Sequence, residues 1–394
     1  MDLKLVSTEN VGISTERLER MELVMSEMVE AGKISGIEMA IMRKGQLAYH
    51  SVYGKRDIAS NQDLEKNDLW RIYSMTKPIV SVGLMMLYEE GKFQLNDPLH
   101  YYIPEFKEMS VYKGNKKSEP AENHIRVIDI LRHTSGLGYG WSGGFVDTLY
   151  YQSRENGIKN TKEFVQNITK IPLYQEPGTG WQYGVSTDVC GYLIEVLSGM
   201  PLDKYLKSKI FDPLQMGDTF FEVPDDKDDR LVTNYTYKDG QLVPIDHPTN
   251  SNYTKEVTFF SGGGGLVSST SDYLKFCQML LNGGELNNRR LLGRKTVELM
   301  TMDHTKGIPY ARGPVVLPMN GNGFGLGFSM VNDVADSGII GSKGIYGWGG
   351  AAGTVFRIDP EEELIYIMMI QLMPYNHLQA REKFQTLVYQ SIIE

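Results

Sequence analysis

Near the start of the chain an apolar residue recurs every three or four positions, at Leu18, Met21, Met25, Met28 and Val29. Ser14 comes before this series, and serine is a residue type that caps helix N-termini. Gly32 follows the series and marks its end. The pattern predicts an amphipathic helix that packs through one face.

Two pairs of short apolar runs indicate β-hairpins, one near each end of the chain. Residues 37–42 and 47–53 flank a turn that contains glycine, and residues 354–358 and 364–370 flank an Asp-Pro-Glu turn. Apolar runs separated by such turn residues are typical of antiparallel strand pairs. The sequence therefore predicts one antiparallel sheet that is built from both ends of the chain and flanked by helices.

The middle of the chain has a different pattern, with helical segments between loops that contain Gly and Pro. The predicted helices cover residues 78–90, 127–132, 187–197 and 271–281, and a further one over 378–393 closes the chain. The charged segment 113–122 is interpreted as a solvated loop. We expect an α/β plus helical fold in which residues 1–72 and 310–394 form a sheet domain. Residues 73–309 form a mostly helical domain, and the active site lies in the cleft between the two.

Composition excludes several classes of function. The 394-residue chain has a formal net charge of −9, whereas a nucleic-acid binder needs a concentrated basic surface. Two cysteines are too few for a disulfide scaffold. The longest apolar run, residues 364–370, is too short to cross a bilayer. We expect a soluble, cytoplasmic protein. The sequence leaves its oligomeric state open, and a homo-oligomer is one of the possible states.

The pattern Ser-x-x-Lys occurs twice and supplies the first candidate nucleophiles. Ser110 and Lys113 lie in a polar segment that would not exclude water. Ser74 and Lys77 precede an apolar helix, and residues three apart on a helix share a face. Burial lowers the pKa of a lysine and so allows its amine to take the serine proton. The motif alone leaves a second interpretation open, in which Ser74 caps the helix and Lys77 extends to solvent.

A competing nucleophile is Ser142, which lies in the sequence Gly140-Trp141-Ser142-Gly143-Gly144. This matches the G-x-S-x-G nucleophile elbow, which requires a buried strand before the serine and a helix after it. Here a predicted helix ends before Ser142 and is followed by a glycine-rich loop. We therefore interpret this segment as a loop that lines the site, with Tyr139 and Trp141 as candidate substrate-binding residues.

Five ordered segments, residues 71–77, 131–137, 176–183, 264–269 and 346–350, resemble a known family. The chain resembles the serine β-lactamase and penicillin-binding-protein superfamily, most closely the β-lactamase-like carboxylesterases called family VIII esterases. By this resemblance Ser74 is the nucleophile, Lys77 its base and Tyr183 the tyrosine of the Tyr-x-Asn motif. The usual Asn is replaced by Val185.

The same resemblance aligns Trp348-Gly349-Gly350 with the Lys-Thr-Gly motif of the family, so Trp348 replaces a lysine. Trp348, Gly349 and Gly350 are then substrate-binding residues, and the N–H groups of Ser74 and Ala351 form the oxyanion hole. Loss of the lysine removes the usual partner of a substrate carboxylate. Lys343 and Arg357 are alternative cations in the sequence.

These features predict an enzyme that needs no cofactor and no metal, because the seven histidines show no metal-ligand spacing. We expect a serine hydrolase that cleaves small, short-chain esters through an acyl-enzyme on Ser74. The alternatives are a β-lactamase or D,D-peptidase, an acyltransferase, and a penicillin-binding sensor that is acylated without turnover. Cys190 and Cys277 lie in helical patterns and are interpreted as buried free thiols.

Overall fold

Both ends of the chain build the central sheet of the protein. The computed structural model describes residues 1, 3–141, 143–154, 157–310 and 320–394. The main sheet has eight strands in the order β12-β13-β14-β15-β16-β1-β2-β3. Its strands are β1 (Gly36–Arg43), β2 (Gln46–Asp57), β3 (Gln62–Asp63), β12 (Asn322–Phe324), β13 (Ser329–Val331), β14 (Tyr346–Gly349), β15 (Val355–Asp359) and β16 (Leu364–Met369). The prediction of one antiparallel sheet from both termini is confirmed.

The two hairpins meet at the centre of this sheet. Strand β1 pairs antiparallel with β16, with Glu38 opposite Met369 and Arg43 opposite Leu364, and it pairs with β2 on its other edge. Every residue of β1 and β16 is buried. Both strands are mostly apolar because both faces of the sheet are covered, one by the terminal helices and the other by the helical part of the chain.

Helices account for most of the remaining regular structure. They are α1 (Thr15–Glu30), α2 (Thr76–Glu89), α3 (Val127–Leu131), α4 (Phe145–Gln152), α5 (Thr161–Ile168), α6 (Ser186–Ser198), α7 (Leu202–Leu206), α8 (Asp212–Leu214), α9 (Thr270–Leu281), α10 (Arg294–Met300), α11 (Val334–Ser337) and α12 (Ala380–Tyr389). The Ser14 hydroxyl caps α1, accepting from the Arg17 N–H, as its residue type predicts. In the described ranges no helix has the length and apolar character needed to span a membrane.

Four short strand pairs complete the fold. They are β4 (Trp70–Arg71) with β9 (Val267–Ser268), β5 (Ser110–Gly114) with β6 (Lys117–Pro120), β7 (Asn234–Lys238) with β8 (Gln241–Asp246), and β10 (Glu285–Leu286) with β11 (Arg289–Arg290). The prediction of a loop over 113–122 was therefore wrong in part. Asn115 and Lys116 both adopt positive φ, which closes a tight turn and lets the flanking residues pair as a hairpin whose second strand is exposed.

Helix α2 begins at Thr76, two residues before the predicted start. Proline is tolerated in the first turn of a helix, where its missing N–H has no intrahelical acceptor to lose. Pro78 therefore lies inside α2. This difference matters for the site, because it places Lys77 within the helix. The helix is buried on almost every side and packs against α6.

Candidate active site

The chain turns sharply just before Ser74. Ser74 lies in a short 3-10 turn, Tyr73–Met75, that leads directly into α2. Tyr73 adopts a φ of 43°, a left-handed conformation that costs a non-glycine residue about 1–2 kcal/mol. Its hydroxyl accepts from Asn234 at 3.0 Å, and its ring packs edge-on against Tyr253. These contacts hold the strained turn that presents Ser74 at the start of the helix.

Lys77 is completely buried directly beside Ser74. Its Nζ donates to Ser74 Oγ at 3.1 Å, to the Tyr139 hydroxyl at 2.8 Å and to the Gly263 carbonyl at 2.6 Å. All three partners are uncharged oxygens: two are hydroxyls, which can donate as well as accept, and one is a carbonyl, which only accepts. The nitrogen is therefore fixed within hydrogen-bond distance of the serine oxygen.

Two tyrosine rings also flank the Lys77 nitrogen. It lies 4.7 Å from the ring centroid of Tyr183 and 5.3 Å from that of Tyr139. The Tyr183 hydroxyl accepts from the indole N–H of Trp348 at 3.1 Å, and the two rings are 5.4 Å apart. The structure thus brings Tyr183 and Trp348 together beside Lys77, while the phenol hydroxyl bonded to Nζ belongs to Tyr139.

Tyr139 connects the buried lysine with the outside of the site. Its ring stacks on Trp141 with centroids 4.3 Å apart, and Trp141 is about half exposed. Burial, with smaller contributions from Tyr183 and Asp188, holds the pKa of Tyr139 well above its usual value. The phenol therefore keeps its proton at neutral pH. The sequence placed Tyr139 only as a lining residue and did not predict its bond to Lys77.

The Gly263 carbonyl is held in place by Asp188, near the start of α6. Asp188 Oδ1 accepts from the Gly263 N–H at 3.0 Å and from the Ser261 hydroxyl at 2.5 Å. These bonds connect the loop that receives Lys77 to a buried helix. Sequence reasoning missed both Asp188 and Gly263, and the only signal for them was the glycine run at residues 262–265.

The turn after β14 lies against the chain segment that leads into Ser74. A side chain at Gly350 would place its Cβ 2.5 Å from the Ile72 carbonyl oxygen, so only glycine fits this approach. Gly350 N–H donates to the Thr354 carbonyl at 2.8 Å, whereas the Ala351 N–H has no acceptor within the described residues. The Ser74 N–H lies in the first turn of its helix, where intrahelical acceptors are lacking.

The competing nucleophiles have different surroundings. Ser110 is half-buried on strand β5, where residues three apart point to opposite faces, and Lys113 reaches Glu176 at 3.5 Å. Ser142 lies outside the described residues. The elbow context is absent, because residues 132–141 contain no strand. Of the alternative cations, Arg357 donates to Ser329 Oγ.

His133 is a buried imidazole at the back of the site. Its ring packs against Tyr183, Trp181 and Phe324, with centroids 4.9 to 5.9 Å apart. Neither ring nitrogen has a hydrogen-bond partner in the described part of the chain. Burial, and then the charge of Lys77, hold the pKa of His133 well below its usual 6.5, so the ring is neutral.

Neither a metal site nor a reactive thiol accompanies these residues. Across the ranges that the structure describes, no group of three or more His, Cys, Asp and Glu side chains could hold a metal ion. Cys190 and Cys277 are buried free cysteines, and burial raises the pKa of both thiols well above the usual value. The candidate chemistry therefore rests on the serine, the lysine and the groups around them.

One family model and several known proteins are similar to this chain. The family model described as Beta-lactamase matches residues 21–390. The chain is 32% identical to Protein Rv1367c of Mycobacterium tuberculosis, with 88% of each chain covered. It is 26% identical to Esterase EstB of Burkholderia gladioli, with 86% of each covered. The solved structure of EstCE1, a hydrolase with promiscuous acyltransferase activity, has a TM-score of 0.80 at 21% identity, covering 95% of this chain and 98% of that one.

Proposed function

The chain belongs to the beta-lactamase family of serine hydrolases, and on that premise we propose that it cleaves small, short-chain esters through an acyl-enzyme on Ser74. The observation that carries the proposal is the 3.1 Å distance between Ser74 Oγ and the buried Lys77 Nζ. A serine hydroxyl needs an adjacent base to become a nucleophile, and a lysine in a dry site is a suitable one. The likeness to an esterase supports this substrate class.

In the proposed acylation step Lys77 acts as the base, and its Nζ takes the Ser74 proton while Oγ attacks the ester carbonyl carbon. Tyr139 and the Gly263 carbonyl hold Nζ in position during this transfer. The carbonyl oxygen becomes an oxyanion, which accepts hydrogen bonds from the Ser74 and Ala351 N–H groups. This assignment is supported by the lack of an acceptor for the Ala351 N–H within the described residues and by the position of Ser74 in a first helical turn.

Collapse of the tetrahedral intermediate breaks the ester C–O bond and needs a proton on the leaving alkoxide. We assign this transfer to Tyr183, whose proton is replaced from Lys77. In deacylation, water attacks the carbonyl carbon of the acyl-enzyme while Lys77 takes one of its protons. The bond from that carbon to Ser74 Oγ then breaks, Oγ takes the proton from Lys77, and the acid leaves. An alcohol in place of water would give acyl transfer, a second candidate activity that the likeness to EstCE1 favours.

The proposal predicts a strong preference for uncharged esters over β-lactams. Trp348 is buried against Tyr183 and Phe324 and offers apolar surface where a lysine would bind a carboxylate. An unpaired buried carboxylate costs several kcal/mol, so kcat/KM for p-nitrophenyl butyrate should exceed that for a chromogenic cephalosporin by several powers of ten. Trp348→Lys should lower the ratio of these two kcat/KM values.

Equal efficiency on both substrates would contradict the esterase assignment and favour the β-lactamase or D,D-peptidase alternative. The time course gives a second discrimination. Continued release of product beyond one equivalent per protein supports turnover, whereas a burst that stops after one equivalent is the behaviour of a penicillin-binding sensor.

Asp188 provides a test of how Lys77 is held. Without its carboxylate the loop carrying Gly263 loses two hydrogen bonds, each of about 1.5–3 kcal/mol for a charged acceptor. We expect Asp188→Ala to lower kcat at least tenfold with a smaller change in KM. Asp212→Ala, which removes an exposed carboxylate that pairs with Lys207, is the matched control. An unchanged kcat in a folded Asp188→Ala protein would show that the loop does not need this carboxylate.

A further inference from the structure

Arg381 connects the last helix with the turn that contains Ala351. It lies in the first turn of α12. Its Nη2 donates to the Gly350 carbonyl at 2.5 Å and to the Thr354 carbonyl at 2.7 Å, and its Nε donates to the Gly353 carbonyl at 3.4 Å. One planar side chain therefore bonds three carbonyls of a five-residue turn.

The guanidinium is also enclosed by its neighbours. It lies 4.1 Å from the ring centroid of Tyr375. A Cβ at Gly349 would come within 2.6 Å of its Cζ, so the group packs directly on the backbone of the strand that ends at Gly349. Any side chain at Gly349 would displace it. The position of Arg381 is thus set by the turn on one side and by an aromatic ring on another.

The positive charge of Arg381 is compensated only in part. Its three backbone acceptors are neutral carbonyls, and no carboxylate forms an ion pair with it in the described part of the chain. Burial lowers the pKa of Arg381, while the Tyr375 phenol and the Glu382 carboxylate favour its charge. The guanidinium therefore brings a positive charge to the turn as well as its hydrogen bonds.

We propose that Arg381 is a positioning residue for the oxyanion hole: it fixes the Gly350–Thr354 turn so that the Ala351 N–H meets the substrate oxygen. Its positive charge also favours the negative charge that develops there. This inference rests on the proposed function, because it needs an oxyanion at Ala351. The effect is largest in the transition state, since the ground-state carbonyl is neutral.

The test separates the geometry of the side chain from its charge. Arg381→Lys keeps the charge but lacks the planar fork, and Arg381→Gln keeps a donor but lacks the charge. Loss of one oxyanion-hole donor costs about 10²–10³ in kcat, and for an indirect effect we expect about 10- to 100-fold for Arg381→Gln, with a smaller loss for Arg381→Lys. KM for p-nitrophenyl butyrate should change less than threefold.

The decisive readout is the binding of an alkylboronic acid, which forms an anionic tetrahedral adduct with the serine. Its inhibition constant should weaken in parallel with kcat, while a neutral competitive ester analogue binds as before. Lys383→Gln removes an exposed cation from the same helix and is the matched control, expected to behave like the unchanged protein. Melting temperatures show that each variant is folded.

Arg381→Ala removes the guanidinium without introducing another polar group in its place. Methylguanidinium in the buffer should restore part of its kcat, whereas the same concentration of methylammonium should restore less. A parallel loss of kcat and boronate affinity, with this rescue, supports the proposal.

Unchanged boronate affinity in a folded Arg381→Gln protein would overturn the proposal. So would a loss confined to carboxylate-bearing substrates, which would make Arg381 a substrate-binding group. Ser74→Ala keeps this result distinct from failure of the proposed function: if Ser74→Ala is inactive while the Arg381 variants behave like the unchanged protein, only the inference about Arg381 fails.

Discussion

Ser74→Ala is expected to abolish steady-state ester hydrolysis, with kcat reduced by about 10³ or more. The reason is that Ser74 Oγ lies 3.1 Å from the buried amine of Lys77, whereas Ser110 lies on a strand and the lysine of its motif, Lys113, pairs with Glu176. Hydrolysis of p-nitrophenyl butyrate is the measurement, made on protein shown to be folded by its melting temperature.

The matched controls are Ser110→Ala and Ser142→Ala, which should keep most of the activity. Ser110 belongs to the second Ser-x-x-Lys sequence, and Ser142 to the elbow-like one. Loss of activity in Ser142→Ala, together with an active Ser74→Ala, would move the nucleophile to the glycine-rich loop. Mass spectrometry of the protein after brief exposure to substrate should show the acyl group on the peptide that contains Ser74.

Lys77→Ala is expected to lower kcat by about 10² or more, and Tyr183→Phe by a similar factor, with the double variant losing much less than the product. Lys77 lies over the Tyr183 ring, and we expect the two residues to transfer one proton between them. Fully multiplicative losses would contradict a shared relay.

Because Lys77 donates a hydrogen bond to Tyr139, substitution of each phenol in turn can distinguish the role of Tyr139 from that of Tyr183. If Tyr183 protonates the leaving group, Tyr183→Phe should lower kcat more for a simple alkyl ester than for an activated p-nitrophenyl ester, whose leaving group needs less protonation. If Tyr139 holds Lys77 in position for the attack by Ser74, Tyr139→Phe should lower kcat for both esters by the same factor. The opposite pattern would exchange the two roles.

Phenylalanine keeps the ring in both variants, so the cation–π contacts with Lys77 are preserved and only the hydroxyl is lost. Tyr151→Phe removes an exposed phenol hydroxyl and is the control for the substitution itself. Its kinetics should match those of the unchanged protein.

Much of the fold followed from local patterns in the sequence. The series from Leu18 to Met28 predicted α1, and the turn between β1 and β2 predicted their pairing. These features depend on residues close together in the chain, where periodicity and turn chemistry act directly. The same holds for Ser74 and Lys77, because a spacing of three brings two side chains together where the segment is helical, as it is there and is not at Ser110 and Lys113.

The sequence patterns gave wrong predictions at two places where the same residues are compatible with two different local structures. The polar segment after Ser110 was predicted as a loop, yet its turn residues with positive φ pair it as a hairpin. Helix α2 was predicted to begin at Pro78, although proline is compatible with the first turn. The first miss changed the type of a segment and the second shifted a boundary, which decides that Lys77 lies inside the helix.

The sequence by itself determined the sheet formed by both termini, the Ser74–Lys77 pair and the family motifs. Only the tertiary structure decided which groups surround that pair. Gly263 lies 186 residues from Lys77 along the chain, and Tyr139 lies 62 residues away. Arg381 reaches the turn at Gly350 from the last helix. Such contacts depend on how buried helices and sheet faces pack together, and the periodicity of any one segment carries no information about its distant partners.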